Sequence, residues 1–279
     1  MARQLSSHTL SLLAVIAGVS AGLVTKARAS DESLVQQRAN AVVSLMSYAV
    51  VPDITASNLD IGSGTNDTRH AGELTARAAA EGVDAVLLVT PYYNRPPQAG
   101  IEAHFRHVAS CTPLPVLLYD IPVRTGRKIS AEVLLRLAHE VPNVVGVKDA
   151  AGDPAAAARL VAEAPEGFEL YCGDDALTLP LLAVGAVGVI SVCAHWAAGP
   201  MGQMVDAFTK GDLALARQID DRLSESYDFE SGDLTPNPLP SKAMLRALGQ
   251  PAGQCRLPMG QAPDGLEQRA RQVWERLHG

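Results

Sequence analysis

The chain has 279 residues, of which 47% are hydrophobic and 19% are charged, a composition typical of a large folded domain and not of a disordered chain. Its net charge of −7 argues against nucleic acid or an anionic membrane surface as a partner. The four cysteines are widely spaced and form no CxxC pair, so a disulfide framework is not expected.

Residues 1–57 form an atypical N-terminal segment that we expect to hold a helix and a strand. The apolar run from Leu10 to Val24 is too short to cross a bilayer unaided, and an A-x-A pattern at residues 27–29 follows it. One interpretation is a signal peptide, Met1 to Ala29, that is cleaved from an exported protein. The alternative is a buried helix that leads into a strand.

From residue 58 onward, short apolar runs alternate with helical patterns. Strands are predicted at residues 56–62, 85–90, 115–120, 144–148, 168–172 and 187–192. Helices are predicted over residues 70–82, 100–110, 130–140, 154–164 and 176–184, and Ser130 is a suitable N-cap for the third. Uninterrupted apolar strands between helices indicate a parallel sheet covered on both faces, and the regular βα repetition favours a (β/α)8 TIM barrel.

The predicted strands stop near residue 210. Helices are expected over residues 212–227, 241–248 and 265–277, with a proline-rich loop between the first two. This pattern divides the chain into the segment 1–57, a barrel catalytic domain at 58–210 and a C-terminal helical region at 211–279. No GxGxxG motif follows a first strand and no P-loop motif occurs, so neither kind of nucleotide site has support.

Polar side chains collect at the carboxyl ends of the predicted strands, where parallel barrels place their active sites. These residues include Lys148, Tyr119, Tyr93, Arg124 and Gly173. Desolvation at a barrel mouth lowers the pKa of a lysine and frees an amine that can form a Schiff base with a carbonyl substrate. Nearby phenols can relay protons, and an arginine can hold a carboxylate.

Each of these residues also has a purely structural interpretation. Lys148 is followed by Asp149 and would suit a rim ion pair, the tyrosines would suit packing, and Arg124 would suit an ordinary surface charge. Lys242 is a rival lysine, but it begins a helix after a proline-rich loop, which suits a structural role.

Two further clusters carry weaker signals. Asp174 and Asp175 suggest a metal pair, but no third ligand is spaced to complete a site. His104 and His107 share a helix face without an HExxH motif, which predicts a solvated face. Cys172 and Cys193 lie in apolar runs and are expected to be inert core thiols.

Six motifs occur in order: VTPYYNRPPQ, LLYDIPVRTG, VVGVKDAAGD, YCGDDALTLPLLAVGAVGVISV, PNPLPSK and RLPMG. From about Gly62 to the C-terminus the chain resembles the 4-hydroxy-tetrahydrodipicolinate synthase (dihydrodipicolinate synthase) family. The resemblance implies a class I aldolase-type condensation of pyruvate with L-aspartate 4-semialdehyde, in lysine and diaminopimelate biosynthesis. It implies no metal or organic cofactor, a cytoplasmic location and a homotetramer built from two dimers.

The resemblance also implies residue roles. Lys148 would form the Schiff base, Tyr119 would relay protons, and Tyr93 would reach the site of a neighbouring subunit. Arg124 would bind the semialdehyde carboxylate, and the R-[ST]-G turn that contains it separates this family from sialic acid lyases. The backbone carbonyl of Ile190 would lie near pyruvate, and Gly173 is placed in the substrate site.

One departure from the family is clear. The TTGE motif, whose threonines hold the pyruvate carboxylate, is missing, and Ser30 in ASDES is the hydroxyl that we expect to substitute. The barrel is therefore expected to be incomplete at its N-terminus and the activity impaired. The alternatives are another pyruvate-dependent aldolase of the same superfamily, a degenerate non-catalytic homologue, or a misassigned gene start.

Overall fold

The computed structural model describes residues 48–50 and 61–279. Its strands are β1 (Tyr48–Val50), β2 (Ile61–Gly62), β3 (Val86–Val89), β4 (Val116–Asp120), β5 (Val144–Asp149), β6 (Glu169–Cys172) and β7 (Gly188–Ser191). Its helices are α1 (Thr68–Ala80), α2 (Gln98–Ala109), α3 (Pro122–Thr125), α4 (Ala131–Glu140), α5 (Pro154–Glu163), α6 (Thr178–Ala183), α7 (Ala194–Thr209), α8 (Leu213–Glu230), α9 (Leu239–Ala247) and α10 (Leu266–His278).

The strands form one seven-stranded sheet in the order β1-β7-β6-β5-β4-β3-β2. Strands β2 to β7 pair in parallel with their neighbours along the chain, as the alternation of apolar runs and helical patterns predicted. A strand was expected within residues 1–57 but was not located at β1, which pairs antiparallel with β7 at one edge. A three-residue strand gives too few alternating positions for a periodicity to be recognised.

The two faces of the sheet carry separate apolar clusters. The larger cluster lies between the strands and the helices and contains Leu88, Leu118 and Val147. A small inner cluster consists of Leu87, Leu117, Tyr171 and Ile190, with partly buried Tyr119, Val145 and Val187 packed against it. Alternate residues of a strand point to opposite faces, so the curled sheet has a helix-covered outside and a filled inside. This is the expected barrel architecture.

The helices agree with the predicted periodicities except at α7 and at the four-residue α3, neither of which was predicted. The Ser130 side chain accepts a hydrogen bond from the Val133 N–H at 3.3 Å and caps α4, as expected. No helix was predicted over α7, which contains Pro200, and a proline weakens the helical pattern in the sequence. In the structure the helix is kinked at Ala197, whose dihedrals are not helical.

The core continues past residue 210. Met204 of α7 and Leu223 of α8 belong to the same apolar cluster as the strands, and the Trp196 indole N–H donates to Ser226 Oγ at 3.1 Å. The division of the chain at residues 57/58 and 210/211 stays a prediction. None of the helices in residues 61–279 combines the length and apolar character that a bilayer crossing requires.

Several predictions fall outside the described residues. They are the Met1 to Ala29 signal peptide, the hydroxyl of Ser30 and the incomplete N-terminal side of the barrel.

Candidate active site

Lys148 lies on the inner face of the sheet between two tyrosines. Tyr119 of β4 is its register partner on one side, and Tyr171 of β6 is its partner on the other. A register shift between β4 and β5 leaves Val145 opposite no residue, which is a β-bulge. Such a bulge re-aims the side chains that follow it along the strand.

The Lys148 side chain is almost completely buried, with 2% of its surface exposed. Its Nζ lies 4.3 Å from the centre of the Tyr119 ring, within the range of a cation–π interaction. A buried ammonium group loses hydration, and the face of a phenol replaces only part of it. Lys148 is therefore a desolvated amine on the inner face, near the carboxyl end of β5.

Gly173, which follows β6, leaves room for the Lys148 stem. A Cβ atom at this position would lie 2.9 Å from Lys148 Cγ and 3.0 Å from Lys148 Cε. Any side chain here would push the amine away from the inner face. The lack of a side chain at Gly173 therefore lets the Lys148 stem pass along the inner face.

The two tyrosines beside Lys148 are not equivalent. The Tyr171 hydroxyl donates to the Glu169 carboxylate, two residues earlier on the same strand. Burial raises the pKa of Tyr119 to about 12, and the carboxylates of Asp174 and Asp175 add to the rise while Arg124 opposes it. Tyr119 is thus a neutral phenol at physiological pH, able both to donate and to accept a proton.

Arg124 lies just outside this inner face. It belongs to the short helix α3, which ends at Gly126 with a φ of 74°, a left-handed conformation that favours glycine. The Thr125 hydroxyl donates to the Ile121 carbonyl at 3.1 Å and fastens the turn. Arg124 is exposed, and its Nη2 lies 3.5 Å from the carbonyl oxygen of Asn237, in the proline-rich loop. The turn therefore presents a cation at the mouth of the barrel.

Ile190 and Tyr93 occupy very different environments. Ile190 is 1% exposed on the inner face and lies opposite Ala49 in the β1–β7 ladder. Tyr93 is 89% exposed and has a φ of 71°. The Asn94 N–H donates to the Tyr92 carbonyl at 2.9 Å, the bond of a γ-turn centred on Tyr93. Such a backbone is strained, and it presents the phenol away from its own chain.

Two carboxylates end neighbouring strands beside the lysine. Asp120 of β4 pairs in register with Asp149 of β5. Burial raises the pKa of Asp120 to about 7; the Ile129 N–H and Lys128 oppose this rise, and the Asp149 charge adds to it. Asp120 was not predicted as a site residue, because its burial depends on how the strand ends pack.

A second acidic cluster was missed because its members are far apart in the chain. Asp175, Cys193 and Glu230 bring one ligand-type atom each within 4.8 Å of one another. The sequence offered only the Asp174-Asp175 pair. Cys172 and Cys193 are buried thiols whose pKa burial raises, as expected of core residues.

The prediction of a solvated face for His104 was wrong. His104 is 4% exposed, and its Nδ1 lies 2.9 Å from Thr68 Oγ1. Burial, helped by nearby His107, lowers the pKa of His104 to about 4. His107 is exposed, so the two histidines of α2 do not share an environment.

The inner face therefore combines a buried amine, a neutral phenol beside it and a cationic turn at its mouth. A buried amine can attack a carbonyl carbon, and the phenol can move the protons that imine formation requires. The cation can hold a substrate carboxylate. Lys242 has no such surroundings: it is half-buried in α9, and its Nζ donates to the Gln254 carbonyl at 3.1 Å.

The chain is similar in sequence to named proteins of other organisms. The chain is 48% identical over 198 residues to a 4-hydroxy-tetrahydrodipicolinate synthase of Moorella thermoacetica, covering 71% of this chain and 67% of the relative. It is 46% identical over 200 residues to the Bacillus subtilis protein of the same name, covering 71% of this chain and 68% of that one.

Solved structures share the fold. The dihydrodipicolinate synthase of Cyanidioschyzon merolae with lysine bound is 41% identical, with a TM-score of 0.76 over 79% of this chain and 74% of that chain. The Acinetobacter baumannii enzyme, complexed with pyruvate, is 32% identical, with a TM-score of 0.74 over 87% of this chain and 81% of that chain.

The family model for the dihydrodipicolinate synthetase family matches residues 32–275. This match, the two relatives and the shared barrel agree with the motifs that surround Lys148. The chain belongs to the dihydrodipicolinate synthetase family.

Proposed function

We propose that this chain is a 4-hydroxy-tetrahydrodipicolinate synthase that condenses pyruvate with L-aspartate 4-semialdehyde through a Schiff base on Lys148. The observation that carries the proposal is the buried Lys148 amine, 4.3 Å from the centre of the Tyr119 ring and facing Gly173. Family membership and the shared name of the relatives supply the substrates.

The reaction balances without a cofactor. The neutral Lys148 amine attacks C2 of pyruvate, and water leaves to give a protonated imine. Loss of a proton from C3 gives an enamine, whose C3 attacks the aldehyde carbon of the semialdehyde while the aldehyde oxygen takes up a proton. The amino group of the bound semialdehyde then attacks C2 and displaces the lysine amine, which closes the ring and frees Lys148.

The surrounding residues take the roles that the resemblance implies. Tyr119 relays protons to and from the reacting oxygen and nitrogen atoms, which suits a phenol kept neutral by burial. Arg124 binds the semialdehyde carboxylate at the mouth. Ile190 offers its carbonyl oxygen near pyruvate, and Gly173 leaves space for the Schiff base.

Ser30, the remaining candidate, lies outside the described residues. Its role in place of the TTGE threonines, and the impaired activity that follows from their absence, stay predictions.

The proposed role of Tyr93 requires an oligomer. A phenol that is 89% exposed on a strained turn is free to reach the site of a second subunit, and this is the role that the resemblance implies for Tyr93. The assembly is a homotetramer built from two such dimers, located in the cytoplasm.

Steady-state assays with purified full-length protein test the proposal. We expect product formation from pyruvate and aspartate semialdehyde, and none from pyruvate and N-acetylmannosamine. Arg124→Ala should reduce the semialdehyde reaction about a hundredfold while Schiff-base formation with pyruvate persists, because a bidentate carboxylate contact is lost. A preference for another aldehyde would assign the chain to a different pyruvate aldolase.

A further inference from the structure

The acidic cluster behind the Lys148 site has two carboxyl oxygens that lack a conventional donor. Among the described residues, no N–H or hydroxyl group reaches Asp175 Oδ1 or Glu230 Oε2, although both atoms are buried. The other oxygen of Asp175 is well satisfied: Oδ2 accepts the N–H groups of Val192 at 2.9 Å and Cys193 at 2.8 Å.

Two ionised carboxylates cannot face each other in a buried position without a large repulsion. One proton between them removes the repulsion and turns one oxygen into a donor for the other. Glu230 is the better proton carrier, because it is the last residue of α8 and the negative end of the helix dipole disfavours its charge. Asp175 is the better anion, because two backbone N–H groups already point at it.

We propose that Asp175 and Glu230 share one proton, with Glu230 as a neutral donor to Asp175, and that this pair positions the two turns that hold Lys148 and its substrate. Only the expected effect on Schiff-base formation rests on the proposed function; the shared proton itself does not. The two residues are positioning residues, because they act through the turns and not by contact with the reacting atoms.

The position of the pair supports this role. Asp175 lies in the turn after β6, two residues beyond Gly173, and its carboxylate holds the turn that follows β7 and Ile190. Glu230 ties both turns to α8, in the C-terminal helical region. The shared proton also sets the net charge of the pair at one negative charge instead of two. This matters for Tyr119, because the charge of Asp175 raises the pKa of that phenol.

The surroundings of Glu230 agree with a neutral side chain. Burial and then the Asp175 and Asp174 charges raise the pKa of Glu230 to about 11, against a smaller opposing effect of Lys148. The titratable groups that act on Glu230 from the neighbouring elements are Asp174, Asp175, Lys148 and Cys193. Tyr227 lies on α8 itself, and its own pKa responds to Asp175 and Cys193 of the cluster. Cys193 and Tyr227 are themselves kept neutral by burial, which raises the pKa of each.

Glutamine and alanine at position 230 separate the two possible states of the carboxyl group. Glu230→Gln keeps a neutral donor of the same shape, so we expect borohydride-trapped pyruvate adduct to form within about threefold of the wild-type rate. Glu230→Ala leaves the Asp175 oxygen unsatisfied, and we expect a melting temperature lower by about 5 °C and trapping slower by about tenfold. Asp228→Asn, an exposed carboxylate on the same helix, is the matched control and should change neither quantity.

Infrared spectroscopy gives a readout that does not depend on catalysis. At about pH 9, where Asp120 is ionised, the wild type should show the carbonyl band of a protonated carboxylic acid, and Glu230→Gln should lack it. Absence of the band in the wild type, or a Gln variant as damaged as the Ala variant, would overturn the proposal. So would a divalent cation that raises the melting temperature of the wild type but not of Glu230→Gln. Failure of wild-type trapping with the band present would instead count against the proposed function alone.

Discussion

At the scale of single residues, the chemistry depends on how Lys148 is enclosed. Its ammonium group is buried against the ring of Tyr119, and the stem passes over a position that has no side chain, Gly173. The sequence predicted the lysine, the tyrosine and the glycine at one rim, because parallel strands bring their carboxyl ends together. The sequence could not predict the hydrogen bond from the Tyr171 hydroxyl to the Glu169 carboxylate, since that contact depends on packing inside the barrel.

Replacing Gly173 by alanine should displace the catalytic amine. The added methyl group would lie within 3.0 Å of Lys148 Cε, so the side chain must shift. Because a misplacement of about 1 Å can reduce a rate about a hundredfold, we expect a loss of that order in the trapping of pyruvate. Gly199→Ala is the control, since a Cβ there meets no atom within 4 Å. Equal trapping by the two variants would show that Gly173 leaves the lysine unconstrained.

Tyr119→Phe tests the proton relay. The variant keeps the ring that lies under the Lys148 ammonium but removes the hydroxyl group. General acid–base catalysis contributes about a hundredfold or more, so kcat should fall by about that factor while borohydride still traps pyruvate. Unchanged turnover in steady-state assays would remove Tyr119 from the mechanism.

At the scale of the elements, periodicity predicted most of the strands and helices, because buried apolar residues recur along each element at a regular spacing. The predicted strand at 115–120 and helix at 130–140 differ from β4 and α4 by one residue each. The misses have physical causes: α7 contains a proline, and β1 is three residues long. Glu230 was missed as a site residue because only the fold brings the end of α8 to the turn after β6.

The buried carboxyl group of Asp120, at the end of β4, predicts that the stability of the protein depends on pH. The pKa of Asp120 is about 7 in the folded protein, above the value of about 4 for an exposed aspartate. Between these values the folded state holds a proton that the unfolded state has released, so stability falls as the pH rises through this window. Asp120→Asn keeps the acceptor for the Ile129 N–H and cannot ionise.

We therefore expect Asp120→Asn to be more stable than the wild type by about 1–3 kcal/mol at about pH 8, and to differ little at about pH 4. Urea denaturation at the two pH values measures the difference. Asp228→Asn, on the exposed face of α8, should match the wild type at both. The same slope with pH in Asp120→Asn as in the wild type would assign the effect to another group.

At the scale of the whole molecule, one core joins the barrel to the C-terminal helices. Leu223 of α8 and Val273 of α10 lie in the cluster that covers the outer face of the strands. The sequence predicted these helices but treated them as an appendage, since helical periodicity does not tell what a helix packs against. The exposed turn at Tyr93 likewise acquires a role only if a second subunit is present.

Mixing inactive subunits tests the shared site. Tyr93→Phe and Lys148→Ala should each be inactive, and random pairing in twofold dimers makes half of them hybrids with one intact site. Coexpression should then restore roughly a quarter of the wild-type activity. Mixtures that stay inactive would mean that Tyr93 acts in its own subunit or not at all.

Borohydride trapping tests the central claim most directly. Full-length protein is incubated with pyruvate and sodium borohydride, digested and analysed by mass spectrometry. A Schiff base on Lys148 requires a reduced pyruvate adduct on the peptide that contains Lys148, its loss in Lys148→Arg and its persistence in Lys242→Arg. An adduct on Lys242, or no adduct on wild-type protein, would contradict it.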